Sequence, residues 1–136
     1  MTIFVDTSGW GASLVKSERH HEKASSIINM LSDSGGRIIT SEFVLMELYT
    51  LFISPIKLDY NKRVSAIEGI RRSNYVTVIP IDDKLVAAAW ELARARADKD
   101  YSVVDCASFV IMSQLGITQV LTADHHFSQA GFEKLL

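Results

Sequence analysis

Four short runs of β-branched residues, separated by longer segments whose apolar residues recur every three or four positions, constrain this chain more than anything else in it. The runs are "TIFV" (2–5), "RIIT" (37–40), "VTVIPI" (76–81) and "TQVLTA" (118–123). Between them, "HEKASSIINMLSDS" sets Ala24, Ile27, Ile28 and Leu31 on one helical face and stops at Gly35-Gly36. The segments "SEFVLMELYTLFI", "DYNKRVSAIEGIRRS", "DDKLVAAAWELARARA" and "SVVDCASFVIMSQLG" behave likewise, the last ended by Gly116. Strands alternating with helices of this length pair in parallel and carry helices on both faces. The spacing therefore predicts a single α/β domain over residues 1–136, a three-layer sandwich around a mostly parallel sheet.

Composition limits what such a domain can do. Apolar stretches reach only about eleven residues, short of the ~18 that would cross a bilayer, so no membrane association is expected. The N-terminus lacks a signal-peptide pattern. The one cysteine, Cys106, lies in the apolar run "CASFVIM" as a small core residue and has no partner in the chain for a disulfide, so a cytoplasmic location is expected. A net charge of −2 argues against gripping nucleic acid by bulk charge, and a polyanion would need a local site.

In doubly wound sheets, ligands bind beyond the carboxyl ends of the strands, where the strand order reverses. Asp6, in "IFVDTSGWGASL", ends the first strand and is followed by what reads as a turn through Thr, Ser and two glycines; Asp124 follows the last strand. Glu47 is the only charged residue between Phe43 and Ile53, in a helix apolar nearly all round and expected to be buried. A buried lone carboxylate must be paired, protonated or bound to a cation. The alternatives are a glutamate at the helix's wet edge or one paired with arginine. Asp105 interrupts an apolar helix in the same way, but Ser102-x-x-Asp105 also fits a capping box. Asp6 and Asp124 equally read as N-caps or turn residues.

Taken together, the four acids ask for a cation. If they converge, repulsion of roughly 4 kcal/mol per pair at 4 Å and an effective dielectric near 20 opposes folding unless something positive lies among them. Oxygen-only ligands select Mg²⁺ or Mn²⁺ over zinc. A carboxylate-held divalent ion suits phosphodiester hydrolysis, because it activates water and neutralises charge on the phosphoryl oxygens.

Rival motifs are weaker. "GWGASL" has two glycines of a dinucleotide fingerprint, but Leu14 replaces the third and no acid ends a second strand at the right distance; a P-loop lacks its Gly-Lys-Ser/Thr. "HEKAS" has Ser25 where a zinc protease needs histidine. His20 and His21 read as surface residues. His125 and His126 follow Asp124 and could meet a substrate phosphate, although adjacent histidines on a helix point different ways and suit one metal poorly. No serine has a nucleophile-elbow context. Arg71-Arg72 and Arg94/Arg96 read as solvated faces or as a route for a nucleic-acid backbone, and Trp10 and Trp90 as packing residues or an association surface.

The stretches "FVDTSGW", "TSEFVLMEL", "DKDYSVVDCASFVIM" and "GITQVLTADHHFSQAGFEKLL" together resemble the PIN-domain nucleases over nearly the whole chain, particularly the VapC-type toxins of prokaryotic toxin–antitoxin pairs. The resemblance implies a PIN-like fold and assigns Asp6, Glu47, Asp105 and Asp124 to a Mg²⁺/Mn²⁺ site that cleaves RNA, leaving 5′-phosphate and 3′-hydroxyl ends. Thr7, Ser8 and Thr122 would be hydroxyls that orient the carboxylates or water. Asp100, often acidic in relatives, would support the metal or shape the loop. Many relatives carry arginine where this chain has His125, whose charge would depend on pH. The resemblance further implies a homodimer and a small antitoxin that blocks the site. The competing expectation is a PIN-like module that binds RNA or protein without cutting; a receiver-like signalling domain lacks a convincing phospho-acceptor set.

Overall fold

The structure is a computed structural model describing residues 1–136. In chain order the elements are β1 (Thr2–Val5), α1 (Thr7–Leu14), α2 (His21–Ser34), β2 (Arg37–Ser41), α3 (Glu42–Ile53), α4 (Tyr60–Arg72), β3 (Val76–Ile79), α5 (Asp83–Ala95), α6 (Val103–Leu115), β4 (Gln119–Leu121), α7 (His125–Gln129) and β5 (Glu133–Lys134). One five-stranded sheet has the order β3-β2-β1-β4-β5, and every neighbouring pair is parallel. Phe4 of β1 is in register with Ile39 on one side and Val120 on the other.

The chain builds outward from β1 through β2 to β3, then returns to add β4 and β5 on the other flank. The strand order thus reverses between β1 and β4. Right-handed crossovers put the helices of the first two connections on one face and those of the return on the other. The packing follows this division, with α1 against α2 and α3, α3 against α4, and α6 against α5 and α7, while α3 and α6, which carry Glu47 and Asp105, also touch. Because β1 is covered on both faces, Ile3, Phe4 and Val5 are all fully buried. No helix is long and apolar enough to cross a membrane.

Side-chain caps fix most helix starts. Ser41, Asp59 and Asp82 each accept a backbone N–H from three residues on. The helices α2 and α6 stop at Gly35 and Gly116, both left-handed, with φ of 75° and 67°.

Three features depart from expectation. The stretch after Asp6 is not a turn: α1 begins at Thr7 and runs through both glycines. Gly9 serves packing instead, since a Cβ there would lie 2.0 Å from the Leu121 carbonyl oxygen, so only glycine lets α1 lie against β4. β3 ends at Ile79, two residues short of the apolar run. Finally, α7 and β5 are too short to show periodicity, and β5 exists only through its pairing with β4.

Candidate metal centre

Asp6 leaves the carboxyl end of β1 at the N-cap position of α1, where an aspartate ordinarily accepts a helix N–H. Here its side chain makes no cap bond. It turns into a cavity of about 380 Å³ lined by Asp6, Glu47, Asp105 and Asp124 together with Thr7, Ser8, Thr50 and Leu51. The four acids therefore line one cavity, although they come from the end of β1, the middle of α3, the first turn of α6 and the start of α7.

Each carboxylate is held through one oxygen. The Thr7 hydroxyl donates to Glu47 Oε1 at 2.6 Å. Asp105 forms the capping box, its Oδ2 accepting the Ser102 N–H at 3.2 Å while its own N–H donates to Ser102 Oγ at 2.9 Å. Asp124 Oδ1 accepts the His126 N–H at 2.9 Å. For Asp6 the holder is Thr122, whose hydroxyl donates to Oδ2 at 3.1 Å.

That last bond heads a small directed network. With its proton committed to Asp6, Thr122 Oγ1 accepts the Asp124 N–H at 3.1 Å and the Ser8 hydroxyl at 3.0 Å, and Ser8 in turn accepts the Ala123 N–H at 3.0 Å. Every donor in it is oriented toward Asp6. The expected orienting hydroxyls Thr7, Ser8 and Thr122 thus all contact the acids or one another.

The remaining oxygens carry no hydrogen bond from the protein, and Asp6 Oδ1 is buried with no partner at all. Burial raises the Asp6 carboxyl from 3.8 to about 7; the Thr7 amide, outside hydrogen-bond geometry, opposes the rise, the charges of Glu47 and Asp105 add to it, and the Thr122 hydroxyl again opposes it. An orphaned buried carboxylate oxygen among three further acids is a donor set that a hard divalent cation fits.

Residues 3–133 match the PIN domain. The chain belongs to the PIN-domain family. It is 33% identical over 130 residues to the 23S rRNA-specific endonuclease VapC20 of Mycobacterium tuberculosis, a match spanning 96% of this chain and 95% of that one. The crystal structure of VapC20, described as a Sarcin-Ricin loop cleaving toxin, superposes with a TM-score of 0.81 at 34% identity, covering 96% and 95% of the two chains. Rickettsia felis VapBC2 bound to a promoter DNA fragment shares the fold at 14% identity and a TM-score of 0.71, with 98% of this chain and 97% of that chain covered.

Within this PIN domain, several expectations need correction. Glu47 is not buried: α3 buries Val44, Leu45, Leu48 and Phe52 and leaves Met46, Glu47 and Thr50 outward, so the glutamate stands at the helix's wet edge, which is the cavity wall. His125 does not face the acids squarely; its side chain is 73% exposed, whereas that of His126 is 19% exposed and donates from Nδ1 to Asp105 Oδ2 at 3.0 Å. The Tyr101 ring packs edge-on against His126 with centroids 5.4 Å apart. Asp100 is exposed and does not line the cavity.

The basic clusters are solvated or paired: Arg71 bridges to Glu42 and Arg96 to Asp98. Trp10 is a packing residue whose indole donates to Thr40 Oγ1 at 3.1 Å, and Trp90 is exposed. His21 is not a free surface residue, because its Nδ1 lies 2.8 Å from the Ala12 carbonyl oxygen.

Proposed function

We propose that this PIN domain is a divalent-metal-dependent endoribonuclease, the toxin of a toxin–antitoxin pair, with Asp6, Glu47, Asp105 and Asp124 holding Mg²⁺ or Mn²⁺. The observation that carries the reading is the convergence of four acids that each keep one oxygen free of protein hydrogen bonds, with Asp6 Oδ1 buried and unpartnered. The similarity to VapC20 along almost the full length of both chains supports RNA as the substrate.

When bound, the ion would offset part of the charge of the four acids and would supply an activated water and a positive charge for the phosphoryl oxygens. The chain's own residues do the rest. Thr7, Thr122 and the Ser102 backbone fix which oxygen of each acid faces inward, so the pocket is organised before substrate arrives. His126 holds Asp105 from the rim. Asp6, deepest of the set, is the acid whose charge most needs a cation. The exposed His125, next to Asp124, is free to meet a phosphate of the RNA backbone. A small antitoxin protein and a second copy of the chain are the partners of this reading.

The test is cleavage of RNA, 23S rRNA first, by the purified chain with and without divalent ions. Asp6→Asn and Asp105→Asn should each lower the rate at least about a hundredfold, as expected for loss of a group that acts on the reacting centre. Unchanged cleavage in both variants, or in excess EDTA, would refute the mechanism. RNA binding without turnover by the wild type would instead favour the silent module.

A further inference from the structure

His125 and His126 stand beside Asp124 in an arrangement that the four-acid reading does not use to hold a metal. Nδ1 of His125 lies 3.8 Å from Asp124 Oδ1, and Nδ1 of His126 lies 3.5 Å from the same oxygen. One ligand atom from each of the three residues falls within 4.8 Å of the other two. Ligands around a tetrahedral ion with bonds of about 2.0–2.1 Å stand roughly 3.3 Å apart, so small side-chain rotations close the set.

Adjacent histidines inside a long helix diverge too far for this. Here Asp124 is the N-cap and the two histidines open the first turn of α7, which leaves their rings 4.6 Å apart and tilted by 52°. We propose that Asp124, His125 and His126 form a second, mixed nitrogen–oxygen site that takes a borderline transition ion, Zn²⁺ above all. Its occupation engages Asp124 and so suppresses cleavage, a consequence that rests on the proposed role of Asp124 in the four-acid centre.

The donor chemistry separates the two sites. Imidazole nitrogen favours Zn²⁺ strongly over Mg²⁺, whereas an all-oxygen set favours the harder ion. His126 Nδ1 carries a proton in its bond to Asp105, because an ionised carboxylate only accepts. Coordination at that nitrogen releases the proton to solvent and exchanges the hydrogen bond for a metal bond. Asp105 Oδ2, 3.0 Å from the same nitrogen, then stands beside the ion as a fourth donor atom and second oxygen. The exposure of His125 gives an ion entry from solvent without opening the fold.

The experiment uses the full chain free of RNA and titrates Zn²⁺ against a chromophoric zinc chelator, with Co²⁺ as a spectroscopic probe of nitrogen ligation. One equivalent should bind, and His125→Asn should weaken it at least about tenfold, since even supporting residues of metal sites contribute that much. Asp6→Asn removes a ligand of the four-acid centre only and should leave the zinc affinity unchanged. Zinc sufficient to fill the site should lower wild-type cleavage, while His125→Asn keeps its own zinc-free rate. Equal zinc affinity in wild type and His125→Asn would overturn the proposal. So would a loss of zinc affinity in Asp6→Asn as large as that in His125→Asn. Failure of the four-acid reading is a separate signal: Asp6→Asn would then leave Mn²⁺ affinity intact, and the zinc titration would stand by itself.

Discussion

Asp6→Asn should stabilise the protein stripped of divalent ions, by an amount that grows with pH. The Asp6 side chain is 4% exposed, and its carboxyl is raised from 3.8 to about 7, first by burial and then by Glu47 and Asp105. Between those two values the unfolded chain has lost the proton and the folded chain keeps it, so stability falls as pH rises toward 7. Above about 7 the folded protein carries the buried charge, and the fall is complete. At about 1.4 kcal/mol per pH unit, the loss between pH 5 and pH 8 comes to roughly 3 kcal/mol. Asparagine has no such charge, and its amide oxygen can still accept the Thr122 hydroxyl while its NH₂ faces the remaining acids. The variant should therefore gain about 3 kcal/mol over wild type on going from pH 5 to pH 8, or roughly 10 °C in Tm for a chain of this size. Urea or thermal unfolding in EDTA at the two pH values measures it directly. Saturating Mn²⁺ should then stabilise wild type more than the variant at pH 8. A constant difference across pH would show that Asp6 does not carry a buried charge, and the case for a cation at its free oxygen would go with it.

Other outcomes follow from particular contacts. Gly9→Ala should destabilise by about 1–3 kcal/mol, because its Cβ meets the Leu121 backbone, whereas Gly11→Ala, whose Cβ meets only the movable Leu51 side chain at 3.3 Å, should fall within about 1 kcal/mol of neutral; denaturant midpoints distinguish them. Thr122→Val leaves the Asp124 N–H and the Ser8 hydroxyl without their acceptor and should cost about 1–3 kcal/mol. Its cleavage rate should fall further than that of Thr122→Ser, which keeps the hydroxyl. Ser102→Ala removes one half of the capping box and should lower stability by about 1 kcal/mol, read from the denaturant midpoint.

Much of this architecture was legible because its signals are local and repeated. Period and length alone predicted four strands, the longer helices between them and a mostly parallel sheet. The acids announced themselves by interrupting apolar sequence. What escaped depends on phase or on partners. Whether α3 turns Glu47 inward or outward is a matter of a helical angle that an apolar sequence does not mark. Which of two adjacent histidines faces Asp105 is decided by one residue of phase in a five-residue helix. β5, with the sequence "EK", has no strand signal of its own. Gly9 was misread because glycine after a strand ordinarily marks a turn, while here it permits contact between α1 and β4, which lie more than a hundred residues apart in sequence.

The capping explanation for these acids and the metal explanation are not rivals, because a carboxylate has two oxygens. Asp105 satisfies the Ser102 N–H and Asp124 the His126 N–H, each through one oxygen, and each still lines the cavity. The cap fixes the carboxylate plane, and a fixed plane aims the second oxygen. Removing a cap should therefore damage metal affinity as well as stability. Ser102→Ala removes the hydroxyl that holds the Asp105 backbone N–H and loosens the first turn that carries the carboxylate, so Mn²⁺ affinity should fall in that variant although serine never touches the ion, while Asp59→Ala, which uncaps α4 far from the acids, should lose a similar stability with no change in Mn²⁺ affinity. Equal affinities in the two variants would mean that the caps hold helices and nothing more.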